Sequence, residues 1–134
     1  MGLIKIIDNE DMSLFYLEEQ KIVRHKMKKN LKDEQFELLL STGAEYMEKY
    51  RAKKWLSDDR DNAVISKEAN EWGDKVWAPR AIKAGFKFWA IVIPSKSSAK
   101  LQMTMFASEY KKRGVTVQIF EDVDNAIKWL ESCE

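Results

Sequence analysis

An almost entirely apolar run, Phe86–Ile93 (FKFWAIVI), constrains the fold of this chain more than any other segment. Only Lys87 interrupts the run, and Pro94 ends it. A strand that is apolar on both faces is typical of the middle of a parallel sheet, where helices cover each side. The run is far shorter than the roughly 20 residues of a membrane-spanning helix. It therefore predicts the central strand of an α/β fold, in a chain that does not span a membrane.

The residues before this run predict an antiparallel start to the sheet. Ser13–Glu18 and Lys21–Lys28 have the composition of strands, and the Glu19-Gln20 pair between them suits a tight hairpin turn. Residues 3–7 (LIKII) add a short strand at the edge. Further strands are predicted at Lys53–Ser57 and Val115–Phe120.

Apolar residues at three- and four-residue steps predict the helices between these strands. The first begins near Asp33, and the others follow caps at Ser66, at Ser97 or Ser98, and at Asp122. The element order is β-β-α-β-α-β-α-β-α. It predicts an α/β fold with a mixed sheet, in which an N-terminal antiparallel hairpin precedes parallel strands joined by right-handed crossovers.

The composition narrows the class of protein. A length of 134 residues suits one domain, residues 1–134. The net charge of +1 argues against a dedicated nucleic-acid binder, which carries a basic excess. Cys133 is the only cysteine, so no internal disulfide can form, and the N-terminus has no signal peptide pattern. We therefore expect a cytoplasmic protein, and no pattern indicates a cofactor or a metal site.

Several segments carry a family resemblance. These are Ala52–Arg60 (AKKWLSDDR), Trp72–Ile93, Tyr110–Val117 (YKKRGVTV), Phe120–Asp122 and Ala126–Leu130. In these segments and in its element order, from about Ser13 to Glu131, the chain resembles the STAS domains of the anti-sigma-factor antagonists. It is most similar to their SpoIIAA-like relatives, which share a fold with part of the Sec14-type lipid-binding proteins. The resemblance implies a STAS/SpoIIAA-like fold and a binding role.

One departure from the STAS pattern bears on regulation. Phosphorylatable members of the family carry an Asp-Ser-Ser-Gly-like or Asp-Ser-Thr-Gly-like run after the third strand. The corresponding stretch here, Ser57–Ser66, reads SDDRDNAVIS and lacks that motif. The resemblance therefore does not extend to a phosphoserine switch.

The loop from Ser57 to Asn62 is the first candidate site. It follows a strand that we expect to be parallel, and ligands of open α/β sheets bind beyond the carboxyl ends of such strands. Ser57, Asp58, Asp59, Arg60 and Asp61 can bind a cation, orient a polar ligand or present a charged face to a protein. The alternative is that the acids solvate a turn and bond to nearby backbone amides.

The second candidate site is formed by Trp72, Trp77 and Arg80. Trp72, Val76 and Arg80 follow one another at four-residue steps, with Trp77 sharing part of that face. Two indoles near an arginine can form a pocket wall or a protein-binding hot spot, or the indoles can pack the helix on the sheet. Pro79 predicts a kink or a break in this helix.

The only histidine and the predicted third helix also bear on function. His25, the only histidine, shares a strand face with Val23 and Met27, and we expect a structural role because no nucleophile can be tied to it. The helix that carries Leu101 and Met105 is apolar over a broad arc, which favours deep burial or self-association as a homodimer.

These observations support one leading hypothesis and two alternatives. The leading hypothesis is a non-catalytic STAS-like binding or regulatory module that acts through protein–protein contacts. The first alternative is a carrier for a lipid or another small amphipathic ligand, with its pocket at Trp72, Trp77 and Arg80. The second is an enzyme that uses Asp58, Asp59 or Asp61 as an acid or base.

Overall fold

Six strands pair in sequence order to form one sheet, β1-β2-β3-β4-β5-β6. The structure is a computed structural model that describes residues 2–61, 64–95 and 100–134. The strands are β1 (Leu3–Asp8), β2 (Met12–Leu17), β3 (Ile22–Met27), β4 (Lys54–Asp58), β5 (Phe88–Val92) and β6 (Thr116–Phe120). The helices are α1 (Asp33–Tyr50), α2 (Lys67–Trp72), a π-helical turn (Gly73–Trp77), α3 (Ala78–Ala84), α4 (Lys100–Lys112) and α5 (Val123–Ser132).

The pairing confirms the predicted mixed sheet. β1, β2 and β3 are antiparallel, whereas β3, β4, β5 and β6 are parallel to one another. The edge strand expected at residues 3–7 is present as β1. The turn between β2 and β3 is longer than the predicted Glu19-Gln20 pair: it occupies residues 18–21, and Lys21 takes a left-handed backbone with φ of 59°.

The helices divide unequally between the two faces of the sheet. The connections β3–α1–β4, β4–α2–α3–β5 and β5–α4–β6 each advance by one strand in the same direction, so crossovers of one hand place their helices on one face. This is the three-helix face. On the other side α5 packs against β4, β5 and β6, and we call this the α5 face.

The predicted central strand is confirmed in β5, which lies between two parallel neighbours. Trp89 and Ile91 belong to the core of the three-helix face, whereas Ala90 and Val92 belong to the core of the α5 face. All four are buried. Both faces of this strand are therefore covered, as its apolar composition requires.

Side-chain caps begin two of the helices where the sequence predicted them. Ser66 Oγ accepts a hydrogen bond of 3.0 Å from a backbone N–H at the start of α2, and Asp122 Oδ1 accepts one of 2.8 Å at the start of α5. Gly85 ends α3 with φ of 115°, a left-handed conformation that favours glycine. Ser97 and Ser98, the candidate caps of α4, lie outside the described residues.

Of the kink or break predicted at Pro79, the break does not occur, because α2, the π-helical turn and α3 follow one another without a gap. A single π-helical turn precedes the proline, with the Ala78 N–H donating to the Gly73 carbonyl five residues back. This turn holds one extra residue, so Trp77 replaces Val76 on the side that faces the sheet. Trp77 is 2% exposed and Val76 is 53% exposed. The predicted four-residue face of Trp72, Val76 and Arg80 therefore does not form.

None of the helices in the described ranges combines the length and the hydropathy needed to cross a lipid bilayer.

Candidate functional site

A cavity of about 130 Å³ lies between the three-helix face of the sheet and the helices that cover it. We call it the aromatic cavity. Strand residues form its floor, and the π-helical turn and α4 form much of its wall. The residues that matter most for its chemistry are His25, Trp55, Ser57, Asp59, Asp74, Trp77, Trp89, Phe106 and Tyr110.

Strand alternation and parallel register bring the floor together. His25 pairs with Ser57 across β3 and β4, and Ser57 pairs with Ile91 across β4 and β5. Trp55 and Trp89 form the adjacent pair, two positions earlier in their strands. Side chains two positions apart on a strand point to the same face, so these five residues all project toward the helices of the three-helix face.

Two of the indoles in the cavity donate to neighbouring polar side chains. The Trp55 Nε1–H donates to His25 Nδ1 at 2.9 Å, and the Trp89 Nε1–H donates to Ser57 Oγ at 2.8 Å. The first bond requires a lone pair on His25 Nδ1, so this geometry assigns the imidazole proton to Nε2. His25 Nε2 lies 3.4 Å from Asp59 Oδ1. The His25 side chain is buried and both of its nitrogens have a polar neighbour, which agrees with the structural role predicted for it. It also lines the cavity, which the sequence did not predict.

The third indole, Trp77, differs from the other two. Its ring packs edge to face against Trp55 and Trp89, with centroids 5.0 and 5.4 Å away. Among the described residues, Trp77 Nε1 is the buried side-chain nitrogen or oxygen that has no hydrogen-bond partner. Leaving a buried donor unpaired costs about 1–3 kcal/mol. The Trp77 N–H is therefore an unpaired donor enclosed by the surrounding side chains.

Hydrogen bonds join the end of α4 to the π-helical turn on one side of the cavity. The Tyr110 hydroxyl donates to Asp74 Oδ1 at 2.7 Å, and Arg113 donates to the Asp74 carbonyl at 3.0 Å. The Arg113 guanidinium also lies 4.9 Å from the centre of the Tyr110 ring. Burial, and then the hydrogen bond to Asp74, raise the pKa of Tyr110 well above its usual value. Tyr110 therefore stays protonated and keeps donating to Asp74 across the physiological range.

The loop predicted as a candidate site is divided between the two faces of the sheet. Ser57 and Asp59 line the aromatic cavity. Asp58 points to the α5 face, where Arg60 donates to both carboxylate oxygens at 2.7 Å and Arg24 lies 3.7 Å away. Asp61 pairs with Lys26 at 3.6 Å. Asn62 lies outside the described residues.

The environment of Asp58 holds it in the charged state. Burial alone would raise the pKa of this carboxyl, but the hydrogen bonds from the Arg60 side chain and backbone bring the pKa below its usual value. The carboxylates of Asp58 and Asp59 point to opposite faces, so they do not converge on one cation. Within the described ranges, no three His, Cys, Asp or Glu side chains are placed to hold a metal ion.

The structure does not bring the second candidate set together. Trp77 lines the aromatic cavity, whereas Trp72 packs against Phe36 with ring centroids 6.3 Å apart. Arg80 forms a two-point ion pair with Glu48 of α1, with both N···O distances 2.9 Å.

Sequence reasoning missed several residues of the cavity, notably Trp55, Trp89, Phe106 and Tyr110. The sequence did contain a signal for Trp55 and Trp89. KKWLS and FKFWAIVI each carry a tryptophan near the start of a predicted parallel strand, so their indoles were candidates for adjacent positions on one face. The contributions of α4 had no such signal, because they depend on how that helix docks on the sheet.

Comparisons with known proteins bear on the fold. No protein-family model matches the sequence, and the search of curated proteins gave no match. Among solved structures, the chain is similar to the crystal structure of an uncharacterized protein of the DUF3478 family from Shewanella loihica PV-4, which is described as having a SpoIIAA-like fold. The two are 18% identical, with a TM-score of 0.55, over 96% of this chain and 92% of that chain. This likeness confirms the fold that the STAS resemblance implied: the chain has a SpoIIAA-like fold.

Proposed function

We propose that this chain is a non-catalytic binding module that holds the apolar group of a small amphipathic ligand in the aromatic cavity. The observation that carries the proposal is the cavity itself, a space walled by indole and phenyl rings with a few polar groups at fixed positions. An apolar pocket with a small number of convergent polar groups is the usual form of a small-molecule site.

The volume limits what the cavity can hold. An engineered apolar cavity of about 150 Å³ accommodates benzene. A cavity of about 130 Å³ therefore suits a single ring or a short aliphatic group. A complete lipid with two acyl chains is too large for the cavity in this conformation, so the ligand class narrows from lipids in general to compact molecules.

The polar side chains of the site support binding rather than catalysis. His25 Nδ1 already accepts from Trp55, and Ser57 Oγ already accepts from Trp89. Asp58 is held as an anion by Arg60 on the opposite face. A general base needs a free lone pair within reach of a reacting proton, and these contacts occupy that lone pair on His25 Nδ1 and engage the carboxylate of Asp58.

Ligand-observed NMR with toluene as the probe tests this proposal. We expect saturation transfer from the protein to toluene, and we expect Gly73→Leu to abolish it because Gly73 lines the cavity and a leucine side chain would fill it. Lys75→Leu is the matched control, since Lys75 is exposed on the same turn and its substitution leaves the cavity unchanged. Absence of transfer in the wild type, or equal transfer in Gly73→Leu, would refute the proposal.

A second candidate function, protein–protein contact, is favoured by the surface of α4. Leu101 is 73% exposed and Met105 is 65% exposed, although both are large apolar side chains. Self-association through this surface predicts a dimer in sedimentation equilibrium that Leu101→Lys converts to a monomer. Leu38→Lys on α1 is the control, because Leu38 is also exposed but lies on a different helix. A wild-type monomer at all concentrations would exclude self-association.

A further inference from the structure

The two edge strands of the sheet, β1 and β6, differ in how they are protected against pairing with another chain. β1 has an irregular register between Lys5 and Ile7, and it carries the charged residues Lys5 and Asp8. Bulges and charges of this kind discourage pairing at the edge of natural sheets. β6 (TVQIF) has neither, because it pairs in step with β5 and contains no charged residue, proline or glycine. β6 is therefore the edge that can accept a further strand.

The parallel register shows which backbone groups of β6 point away from the sheet. The Thr116 N–H donates to the Lys87 carbonyl at 2.8 Å, and the Phe120 carbonyl accepts from the backbone that follows β5 at 2.9 Å. The even-numbered residues of β6 therefore bond to β5, and the N–H and C=O groups of Val117 and Ile119 point outward. Within the described ranges no strand lies beyond β6. These outward groups form an open row of donors and acceptors.

A second copy of β6 that runs antiparallel matches this row. With Gln118 on a two-fold axis, Val117 of each copy lies opposite Ile119 of the other, and the two residues exchange their outward N–H and C=O groups. Gln118 is uncharged, so the axis brings no like charges together. The β-branched side chains of Val117 and Ile119 suit strand pairing.

Charges on either side of β6 are complementary in the same arrangement. Lys111 and Lys112 precede the strand, Asp122 and Asp124 follow it, and all four are exposed. Antiparallel pairing about Gln118 places the basic segment of one copy next to the acidic segment of the other, at both ends of the paired strands. A parallel second copy in register would place like charges together instead. The charges therefore favour the antiparallel arrangement.

We propose that two copies of this chain associate through β6, as an antiparallel pair that continues the sheet from one copy into the other. Because the β1 edge is protected, this assembly closes at a dimer. The two-fold axis is perpendicular to the sheet, so the three-helix faces of both copies lie on the same side. The interface is separate from the aromatic cavity, and it buries strand backbone where association through α4 would bury Leu101 and Met105.

Sedimentation equilibrium and amide hydrogen exchange test this interface in the wild-type chain. We expect a reversible dimer whose dissociation constant rises with salt, because salt screens exposed charges. When about nine-tenths of the chains are dimeric, exchange at the Val117 and Ile119 amides should be about tenfold slower than in the monomer, since it then occurs from the remaining monomer. The Gln118 amide, which already bonds to β5, should exchange at the same rate in both states.

Charge reversal tests the arrangement of the two copies. Lys112→Glu and Asp124→Lys should each raise the dissociation constant about tenfold, because each brings like charges together at both ends of the paired strands. The double variant Lys112→Glu/Asp124→Lys should return it to within about threefold of the wild type. Lys5→Glu makes the same change of charge at an exposed position on the β1 edge, so it is the matched control and should have no effect.

A monomer at all protein concentrations up to about 1 mM would overturn this proposal. A dimer in which the Val117 and Ile119 amides exchange as in the monomer, or one that both charge reversals leave unchanged, would also overturn it. A dimer that Leu101→Lys dissociates and Lys112→Glu does not would assign the association to α4 instead. None of these results depends on toluene binding, so the proposed ligand-binding function is tested separately.

Discussion

The two faces of the sheet are built from the same strands but have different interiors. On the α5 face a single helix covers a buried centre of aliphatic side chains, with the rings of Phe88, Phe120 and Trp129 partly buried around it. The fully buried residues of this centre are Ile22, Leu56, Ala90, Val92, Ala126 and Leu130. On the three-helix face large rings meet edge to face, with polar groups among them and a cavity of about 130 Å³.

Strand β4 shows this difference within four residues. Trp55 and Ser57 face the aromatic cavity, where each takes part in an indole hydrogen bond. Leu56 and Asp58 face α5, where Leu56 is buried in aliphatic packing and Asp58 is neutralised by Arg60. Both faces contribute buried side chains to the core, but the proposed site lies on the three-helix face alone, so a substitution on the α5 face should lower stability without changing binding.

The largest expected effect is on the α5 face. Leu130→Ala should lower the free energy of unfolding by about 3 kcal/mol, because it removes a fully buried side chain from a closely packed interior. Urea unfolding measures this loss, and binding of toluene to the folded protein should remain as in the wild type. A loss below about 1 kcal/mol would show that the α5 face is not closely packed.

On the three-helix face, His25→Leu should lower the free energy of unfolding by about 2 kcal/mol, because it leaves the Trp55 Nε1–H buried without an acceptor. His25→Asn is the matched control, since an amide oxygen can replace Nδ1 as the acceptor, and its cost should be smaller. Urea unfolding of the two variants gives the comparison. Equal costs would mean that the bond from Trp55 contributes little.

The Asp58–Arg60 pair links stability to pH. Asp58→Asn should lower the free energy of unfolding by about 1.5 kcal/mol at pH 7. The expected loss is no larger because the Arg60 side chain is partly exposed to solvent. Because the folded-state pKa of Asp58 is below its usual value of 3.8, this contribution is complete above that value and is lost as the pH falls through the lowered pKa. The wild type and Asp58→Asn should therefore converge in stability in acid. Asp61→Asn, where the carboxylate itself is 44% exposed, should change stability by less than about 0.5 kcal/mol.

Alanine substitutions at two glycines, Gly43 and Gly73, should change the stability only slightly. A Cβ at Gly43 would overlap the ring of Trp55, so Gly43→Ala should destabilise by about 1 kcal/mol, after the gain in helix propensity is counted. A Cβ at Gly73 would lie 3.8 Å from Phe36, an ordinary contact, so Gly73→Ala should stabilise by up to about 1 kcal/mol. Thermal unfolding of both variants should show opposite shifts, and shifts of the same sign would contradict the account of Trp55 packing.

The sequence was sufficient for much of the fold, because its signals are local. The apolar composition of Phe86–Ile93 predicted a central strand, and the side chains of Ser66 and Asp122 predicted two helix starts. Each of these features depends on the residue itself and its neighbours in the chain, and the structure confirms all three.

The candidate site was harder to predict, because it depends on register and on helix geometry. The fourth strand extends to Asp58, one residue beyond its predicted end, so alternation sends Asp58 away from Ser57. His25 enters the cavity only because the parallel register places it beside Ser57. The π-helical turn places Trp77 and not Val76 on the side that faces the sheet, and the regular helical period assumed for that segment did not include it.

The five tryptophans give the most direct test of which face carries the site, since each contributes one indole N–H resonance to a ¹H–¹⁵N spectrum. Trp55, Trp77 and Trp89 line the cavity, while Trp72 lies outside it and Trp129 belongs to the α5 face. Titration with toluene should shift the first three resonances and leave those of Trp72 and Trp129 in place. A shift confined to Trp129, or no shift at Trp55, Trp77 and Trp89, would contradict the assignment of the site to the three-helix face.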